Sequence, residues 1–209
     1  MSSSGHAVER EEWNDLYRAV PVLWPIDPGP FLGAEVGDKQ PGRALDLGAG
    51  EGRNSIWLAQ RGWRVTAVDF SDVAVARGKA WAEEEGVTEL ITWLTTDLAE
   101  FRPEVRGFDL ILSLFLHIPA DQRRSVLRRA AGALAPGGTV LVVGYDRTNA
   151  TEGTEGVRDP ALLFSPEDIV QELGGLRVER AERLGVGQAV DAIVRARKPE
   201  VSTDSRAGG

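Results

Sequence analysis

Three acidic residues stand at or near the ends of three apolar runs in the first half of the chain. They are Asp46 within Ala44 to Leu47, Asp69 after Arg64 to Val68, and Asp97 after Ile91 to Thr95. Asp69 follows a glycine-rich turn, Gly48-Ala49-Gly50-Glu51-Gly52, by about twenty residues, the spacing at which an acid can accept hydrogen bonds from both hydroxyls of a ribose. Phe70 offers a ring for a nucleobase face, and Ser71 is placed to cap a helix. Asp97 can accept from an adenine amino group, with the neighbouring backbone N–H at Leu98 answering a ring nitrogen.

The glycines bring bare backbone close to whatever lies over the end of the first run. A dinucleotide-binding turn of the GxGxxG type would need its third glycine at position 53, where the sequence has Arg53. A pyrophosphate also wants an unencumbered, electropositive helix start. Asp46 and Glu51 flank this turn instead, which suits a ligand carrying positive charge. In an open α/β sheet the carboxyl ends of the strands line the ligand crevice, so Asp46, Asp69 and Asp97 are expected to converge on one site.

The elements that must position these groups alternate between apolar runs and helical patterns, which predicts a parallel sheet flanked by helices. Strands are expected at 44–47, 64–68, 91–95, 108–113, 139–144, 177–184 and 189–196. Helices are expected at about 52–60, 72–85, 121–134 and 166–173. The last two strands are joined only by Gly185-Val186-Gly187-Gln188 and should run antiparallel. In the third helix Val126, Leu127, Ala130, Ala131 and Leu134 form the buried stripe, with Arg123, Arg124, Arg128 and Arg129 facing outward. Before the sheet, Trp13, Leu16, Tyr17 and Val20 recur at helical spacing, and Pro21, Pro25, Pro28 and Pro30 then impose an irregular cover. The expected organisation is a mobile tail at 1–11, one domain at 12–198 (helix and cover at 12–40, sheet core at 41–198) and a mobile tail at 199–209.

Composition narrows the chemistry. With 209 residues, 42% of them apolar, and a net charge of −8, the chain reads as a soluble globular protein poorly suited to electrostatic capture of nucleic acid. The absence of cysteine excludes a disulfide framework, a thiolate metal site and a cysteine nucleophile, and is compatible with the cytoplasm. His6 and His117 are the only imidazoles, so no metal centre is expected. No apolar stretch approaches a membrane span, and nothing in the first residues resembles a leader.

Taken together, ALDLGAGEG, VTAVDFS, TTDL, FDLILSLFLHIP and LAPGGTVLVVGYD resemble the motifs of the class I S-adenosylmethionine-dependent methyltransferases. The resemblance implies a Rossmann-like three-layer α/β sandwich, with a seven-stranded, mostly parallel sheet in the order 3-2-1-4-5-7-6 whose last strand is antiparallel. GEGRNSIWLAQRGWRVTAVDFS and WNDLYRAVPVLW look more narrowly like the tellurite-resistance and thiopurine methyltransferase branch. It further implies that the backbone at Asp46, Gly48, Ala49 and Gly50 surrounds the methionine end of S-adenosylmethionine. Arg53 would pair with its carboxylate and Asn54 would support the loop. Ser113, Leu114 and Phe115 would lie along the methionine chain, while Tyr17 and Trp24 close over the sulfonium. The product would be S-adenosylhomocysteine.

Methyl transfer from a sulfonium is an in-line displacement that asks chiefly for alignment and exclusion of water. A hydroxyl acceptor also wants a base, for which His117, Tyr145 and Asp146 are the candidates. The acceptor is expected to be a small molecule, and the polar segment 147–164 is placed to cover it. Two alternatives keep the same sheet: a non-catalytic cofactor-binding regulator, and an NAD-dependent oxidoreductase, against which Arg53 and the third acidic strand end both argue.

Overall fold

A computed structural model describes residues 10–23, 28 and 30–200. Seven strands form one sheet: β1 (Arg43–Leu47), β2 (Arg64–Asp69), β3 (Ile91–Thr95), β4 (Phe108–Leu114), β5 (Leu134–Tyr145), β6 (Arg177–Val186) and β7 (Ala189–Arg197). Their order is β3-β2-β1-β4-β5-β7-β6, with β7 antiparallel to both neighbours, as expected for the Rossmann-like sandwich. Among the described residues six α-helices accompany it: α1 (Arg10–Ala19), α2 (Pro30–Val36), α3 (Arg53–Ala59), α4 (Asp72–Glu84), α5 (Ala120–Ala133) and α6 (Pro166–Glu172).

Side chains alternate across each strand, so the central strands feed two cores. Leu110, Leu112, Leu141 and Val143 face α2 and α3, packing with Leu32, Val36, Ile56 and Leu58. Ile111, Val140 and Val142 point the other way, onto Val126, Leu127 and Ala130 of α5 and Ile169 of α6. The outer strand β6 exposes Arg177, Glu179, Glu182 and Arg183, charges that discourage edge-to-edge pairing with another sheet.

Local expectations are corrected at Pro30, at the start of β5 and on the outward face of α5. The segment before the sheet is not wholly irregular, because Pro30 opens α2 and so cannot break it; the first turn needs no N–H from that residue. β5 begins at Leu134, directly at the end of α5, rather than at residue 139. Of the apolar residues at helical spacing in α1, Tyr17 is buried, together with Asn14, while Leu16 is 46% exposed. Arg123 does not face solvent: it is buried against Glu172, with Nε–Oε2 and Nη2–Oε1 distances of 3.0 and 2.9 Å. Arg129 is drawn inward too, donating to the Leu98 carbonyl at 2.6 Å.

Candidate functional site

β1 ends in a turn that only glycine can make. Gly48, Gly50 and Gly52 have φ of 72°, 56° and 83°, a region costly for residues with a Cβ. The surroundings leave no space for a side chain either. A Cβ on Gly48 would sit 2.8 Å from Leu116 Cδ1, one on Gly50 would sit 2.7 Å from Tyr17 Oη, and one on Gly52 would enter the Trp93 ring. The amides of Gly48 and Ala49 donate to the Val68 carbonyl at 2.9 and 3.0 Å, tying the turn to the end of β2. Asp69 completes the clamp: Oδ2 accepts from Gly50 N at 2.8 Å and Oδ1 from Ser71 N at 2.9 Å. A carboxylate has about four acceptor sites, so these bonds leave capacity for a ligand.

Burial raises the Asp69 carboxyl above its ordinary range, opposed by the backbone amides of Ser71, Gly50 and Phe70. Asp46 is fully enclosed beneath the turn and accepts from Ser55 Oγ at 2.7 Å. Burial pushes it up to about 6, with Asp69 adding to the shift while Ser55 and the Arg53 guanidinium oppose it. Glu51 does not offer its charge to a ligand as the sequence pattern implied. It pairs with Arg77 at 3.0 Å and accepts from Leu23 N at 3.1 Å, fastening the segment after α1 to α4.

A cavity of about 290 Å³ opens over this turn. Its floor is the backbone from Gly48 to Asn54, with Asp69 at one side. Leu114, Phe115, Leu116 and His117 come from the end of β4, Tyr145 from the end of β5, and Trp13 and Tyr17 from α1. α1 is held in place by polar contacts: Asn14 accepts from Ser71 Oγ at 2.6 Å and donates to Asp72 at 2.9 Å. Phe115 adopts φ 54°, an unusual left-handed conformation for an aromatic residue, fixed by its amide donating to Val143 O at 2.7 Å.

The His117 ring lies nearly parallel to those of Trp13 (6.3 Å, 8°) and Tyr145 (5.7 Å, 6°), each an offset stack. Its Nε2 is buried without a protein partner among the described residues. Burial lowers its pKa to about 4, so the ring is neutral at pH 7 and a weaker base than a catalytic histidine poised near that pH. The folded value lies below the unfolded one of 6.5. The associated stability is therefore present above pH 6.5 and is lost as the pH falls through about 4. An NMR titration of the His117 ring is expected to show no protonation between pH 8 and 5.5; a midpoint near 6.5 would refute the buried environment.

The structure brings Gly48, Ala49, Gly50, Arg53, Asn54, Asp69, Leu114, Phe115, His117, Tyr145 and Tyr17 to one cavity. Others fall elsewhere. Ser113 is buried within β4, and Ser71 spends its hydroxyl on Asn14 and on capping α4 at Ala74 N. Phe70 is half-buried at the end of β2. Asp97 is exposed and accepts from Ala99 N, while Leu98 packs into the core beneath α5. The three acids therefore occupy neighbouring strand ends without sharing one cavity. Trp24 lies outside the described residues.

Asp146 does not line the cavity. Its Oδ1 receives Thr148 N, Thr148 Oγ1 and Arg183 Nε at 2.9, 2.9 and 2.7 Å, and the residue is completely buried, away from the cavity. It anchors the start of the 147–164 segment. That segment is itself fastened, since the Asn149 side chain donates to the carbonyls of Glu155 and Val157 and accepts from Val190 N. Gly156 then lies against the Tyr145 ring, at the cavity mouth. Sequence reasoning did not name Trp13, Leu116 or Trp81 as wall residues. Trp13 had a signal, one helical turn before Tyr17; the other two had none, because their placement follows from packing.

Residues 44–138 match the family model of a methyltransferase domain. The chain is 29% identical over 128 residues to the 2-heptyl-1-hydroxyquinolin-4(1H)-one methyltransferase of Mycobacteroides abscessus, across 60% of this chain and 55% of that one. It is 33% identical over 116 residues to the glycine N-methyltransferase of Rattus norvegicus, across 48% and 39%. The chain thus spans roughly half or less of these curated relatives. Its fold superimposes on the 1,6-didemethyltoxoflavin-N1-methyltransferase of Burkholderia thailandensis, a structure with bound 1,6-didemethyltoxoflavin and S-adenosylhomocysteine. The TM-score is 0.71 at 19% identity, covering 96% of this chain and 94% of that one. Residues 44–138 thus resemble a methyltransferase domain, and the sheet order is the one such Rossmann-like folds share.

Proposed function

We propose that this protein transfers the methyl group of S-adenosylmethionine to a small-molecule acceptor by in-line displacement, in the cytoplasm. The observation that carries the reading is the meeting of three strand ends around one cavity: the side-chain-free turn after β1, the buried Asp69 ending β2, and Leu114 to His117 after β4. The cavity fits the cofactor's methionine and ribose parts. A Cβ would close the cradle at Gly48 and Gly50, and Asn54 Oδ1 is buried there without a partner among the described residues. When bound, the cofactor supplies an electrophilic methyl group on a cationic sulfur.

The protein's part is to bind, orient and exclude water. Asp69 holds the ribose hydroxyls, Arg53 meets the carboxylate, and Phe115 and Leu114 flank the methionine chain. Phe70 and Asp97 extend the site to a nucleobase beyond the enclosed cavity. Asp97 follows Thr96, whose amide donates to the Asp69 carbonyl at 2.9 Å, so the two acids sit on adjacent strand ends. Tyr17 and Trp13 cover the reacting centre. Asp46 and Asp69 place two carboxyl groups near the cationic sulfur, with Arg53 toward the carboxylate end. The narrower likeness to the tellurite-resistance and thiopurine branch, carried by GRNS and WNDLYRAVPVLW, would admit soft chalcogen acceptors.

Calorimetry with S-adenosylhomocysteine, followed by an acceptor screen read by release of that product, tests the reading. Micromolar binding and turnover of at least one thiol, phenol, amine, tellurite or selenite are expected. Binding without turnover on any acceptor would favour a regulator, and tight NADH binding in its place would favour an oxidoreductase.

A further inference from the structure

A second cavity, of about 500 Å³, lies at the other end of the sheet from the glycine turn, where the chain enters β4, β5 and β6 and leaves β7. Three cations line it: Arg106 before β4, Arg128 on α5 and Lys198 after β7. Glu172 is the one carboxylate among the lining residues, and it is already spent. Its oxygens accept from Arg123 Nε and Nη2 at 3.0 and 2.9 Å, and its side chain is 5% exposed. The cavity is therefore positively charged in a chain whose net charge is −8. Gly132 and Gly175 belong to the same wall, and a Cβ on either would meet nothing within 4 Å, so there is free space beside the charged groups.

The protein holds these cations together without answering them. Lys198 Nζ donates to the carbonyls of Ala131, Gly132 and Leu134 at 3.2, 3.2 and 2.8 Å, which fixes its charge against the carbonyl end of α5. Partial burial, and then the charge of Arg106, lower its ammonium below the ordinary value, so the two cations repel. Arg106 has φ 56°, a backbone conformation that glycine would adopt more cheaply. It is imposed by the amides of Arg106 and Gly107, which donate to Gly132 O and Ala133 O at 3.3 and 2.9 Å. Arg106 and Arg128 are both exposed, and neither guanidinium has a hydrogen bond or ion pair with the protein among the described residues. Repulsion and backbone strain thus coincide at one cavity, a combination that an anion would relieve.

We infer that this cavity binds a small polyanion carrying two linked phosphate groups, held by Arg106 and Arg128 with Lys198 adding charge behind them. The two guanidinium forks match phosphate oxygens, while the Lys198 protons stay on their carbonyls. A single phosphate carries about −1.5 to −2 at pH 7 and leaves part of the positive charge unanswered; two linked phosphates do not. The cations come from three separate elements, and a tetrahedral phosphate presents an oxygen toward each, whereas a planar carboxylate offers its pair in one plane. A concave pocket suits a small molecule, while a polynucleotide wants cations spaced along a groove. The cavity shares no lining residue with the one over the glycine turn, so this site and the methyltransferase reading do not stand or fall together.

The test is calorimetric titration of the full chain with sodium pyrophosphate at constant ionic strength, beside orthophosphate, citrate and a uridine decanucleotide. Pyrophosphate is expected to bind with a single equivalent, at least about tenfold more tightly than orthophosphate or citrate. Arg106→Gly and Arg128→Gln each remove charge-assisted bonds to the ligand and should weaken it by about tenfold or more. Arg124→Gln, on the same helix but outside the cavity, should change it by less than about threefold, as a distant surface charge does. Arg106→Gly also relieves the left-handed backbone and should melt no lower than wild type; if it melts early, the exposed Arg128→Gln decides alone. The proposal is overturned if pyrophosphate binds no more tightly than orthophosphate or citrate, or if Arg124→Gln costs as much as Arg128→Gln. It is overturned equally if the decanucleotide binds more tightly than pyrophosphate and loses affinity in the same variants.

Discussion

Asp69→Ala is expected to weaken S-adenosylhomocysteine binding by about 100-fold or more. Two hydrogen bonds from ribose hydroxyls to a carboxylate contribute about 1.5–3 kcal/mol each, and every 1.4 kcal/mol is tenfold in affinity. The loss has a second source in the same side chain. Asp69 accepts from Gly50 N and Ser71 N, so alanine leaves two buried amides without partners at the turn that must approach the ligand. That adds roughly 2–4 kcal/mol of destabilisation. Calorimetry and thermal melting together separate the parts. Asp69→Asn keeps one acceptor oxygen but sets an amide donor against the other N–H, so it should fall between wild type and alanine in both measurements. Affinity within threefold of wild type for Asp69→Ala would remove the residue from the ribose site.

The Asp69 result illustrates which parts of the site were legible in the sequence. Backbone-made features were: strand ends followed by glycine, and an acid at the matching end of the next strand, appear as short local patterns because the chain itself forms the turn. Ser71 as a helix cap is of the same kind. The sheet order and its antiparallel last strand came from the family resemblance together with the short link between the last two strands.

What escaped was side-chain partnership across the fold. Glu51, Asp146 and Arg123 are charged residues whose types alone gave no sign that Arg77, Arg183 and Glu172 would neutralise them from 26, 37 and 49 residues away. The rings around His117 escaped for the same reason. Trp13 and Tyr145 lie at opposite ends of the chain's core, and the docking of α1 through Asn14 onto Ser71 and Asp72 brings both next to His117.

The largest stability effect is expected at Arg123, which the helical pattern alone would place in solvent. Its side chain is 4% exposed and that of Glu172 5%, with two near-parallel hydrogen bonds between them. Arg123→Ala leaves Glu172 as a buried, unpaired carboxylate, which costs about 3–5 kcal/mol. At about 2–4 °C per kcal/mol for a chain of this size, the melting temperature should fall by roughly 10 °C. The guanidinium also lies 5.0 Å over the Phe164 ring, and Phe164 packs on Gly144 beside Tyr145, so the pair braces the segment that carries Tyr145. Removing both charges tests whether the cost is the orphaned carboxylate or lost packing. Arg123→Met with Glu172→Leu fills similar volume without a charge, and is expected to recover most of the lost stability. If the double variant melts as low as Arg123→Ala, the ion pair itself is the source of stability; if Arg123→Ala melts like wild type, the pair is not buried in solution.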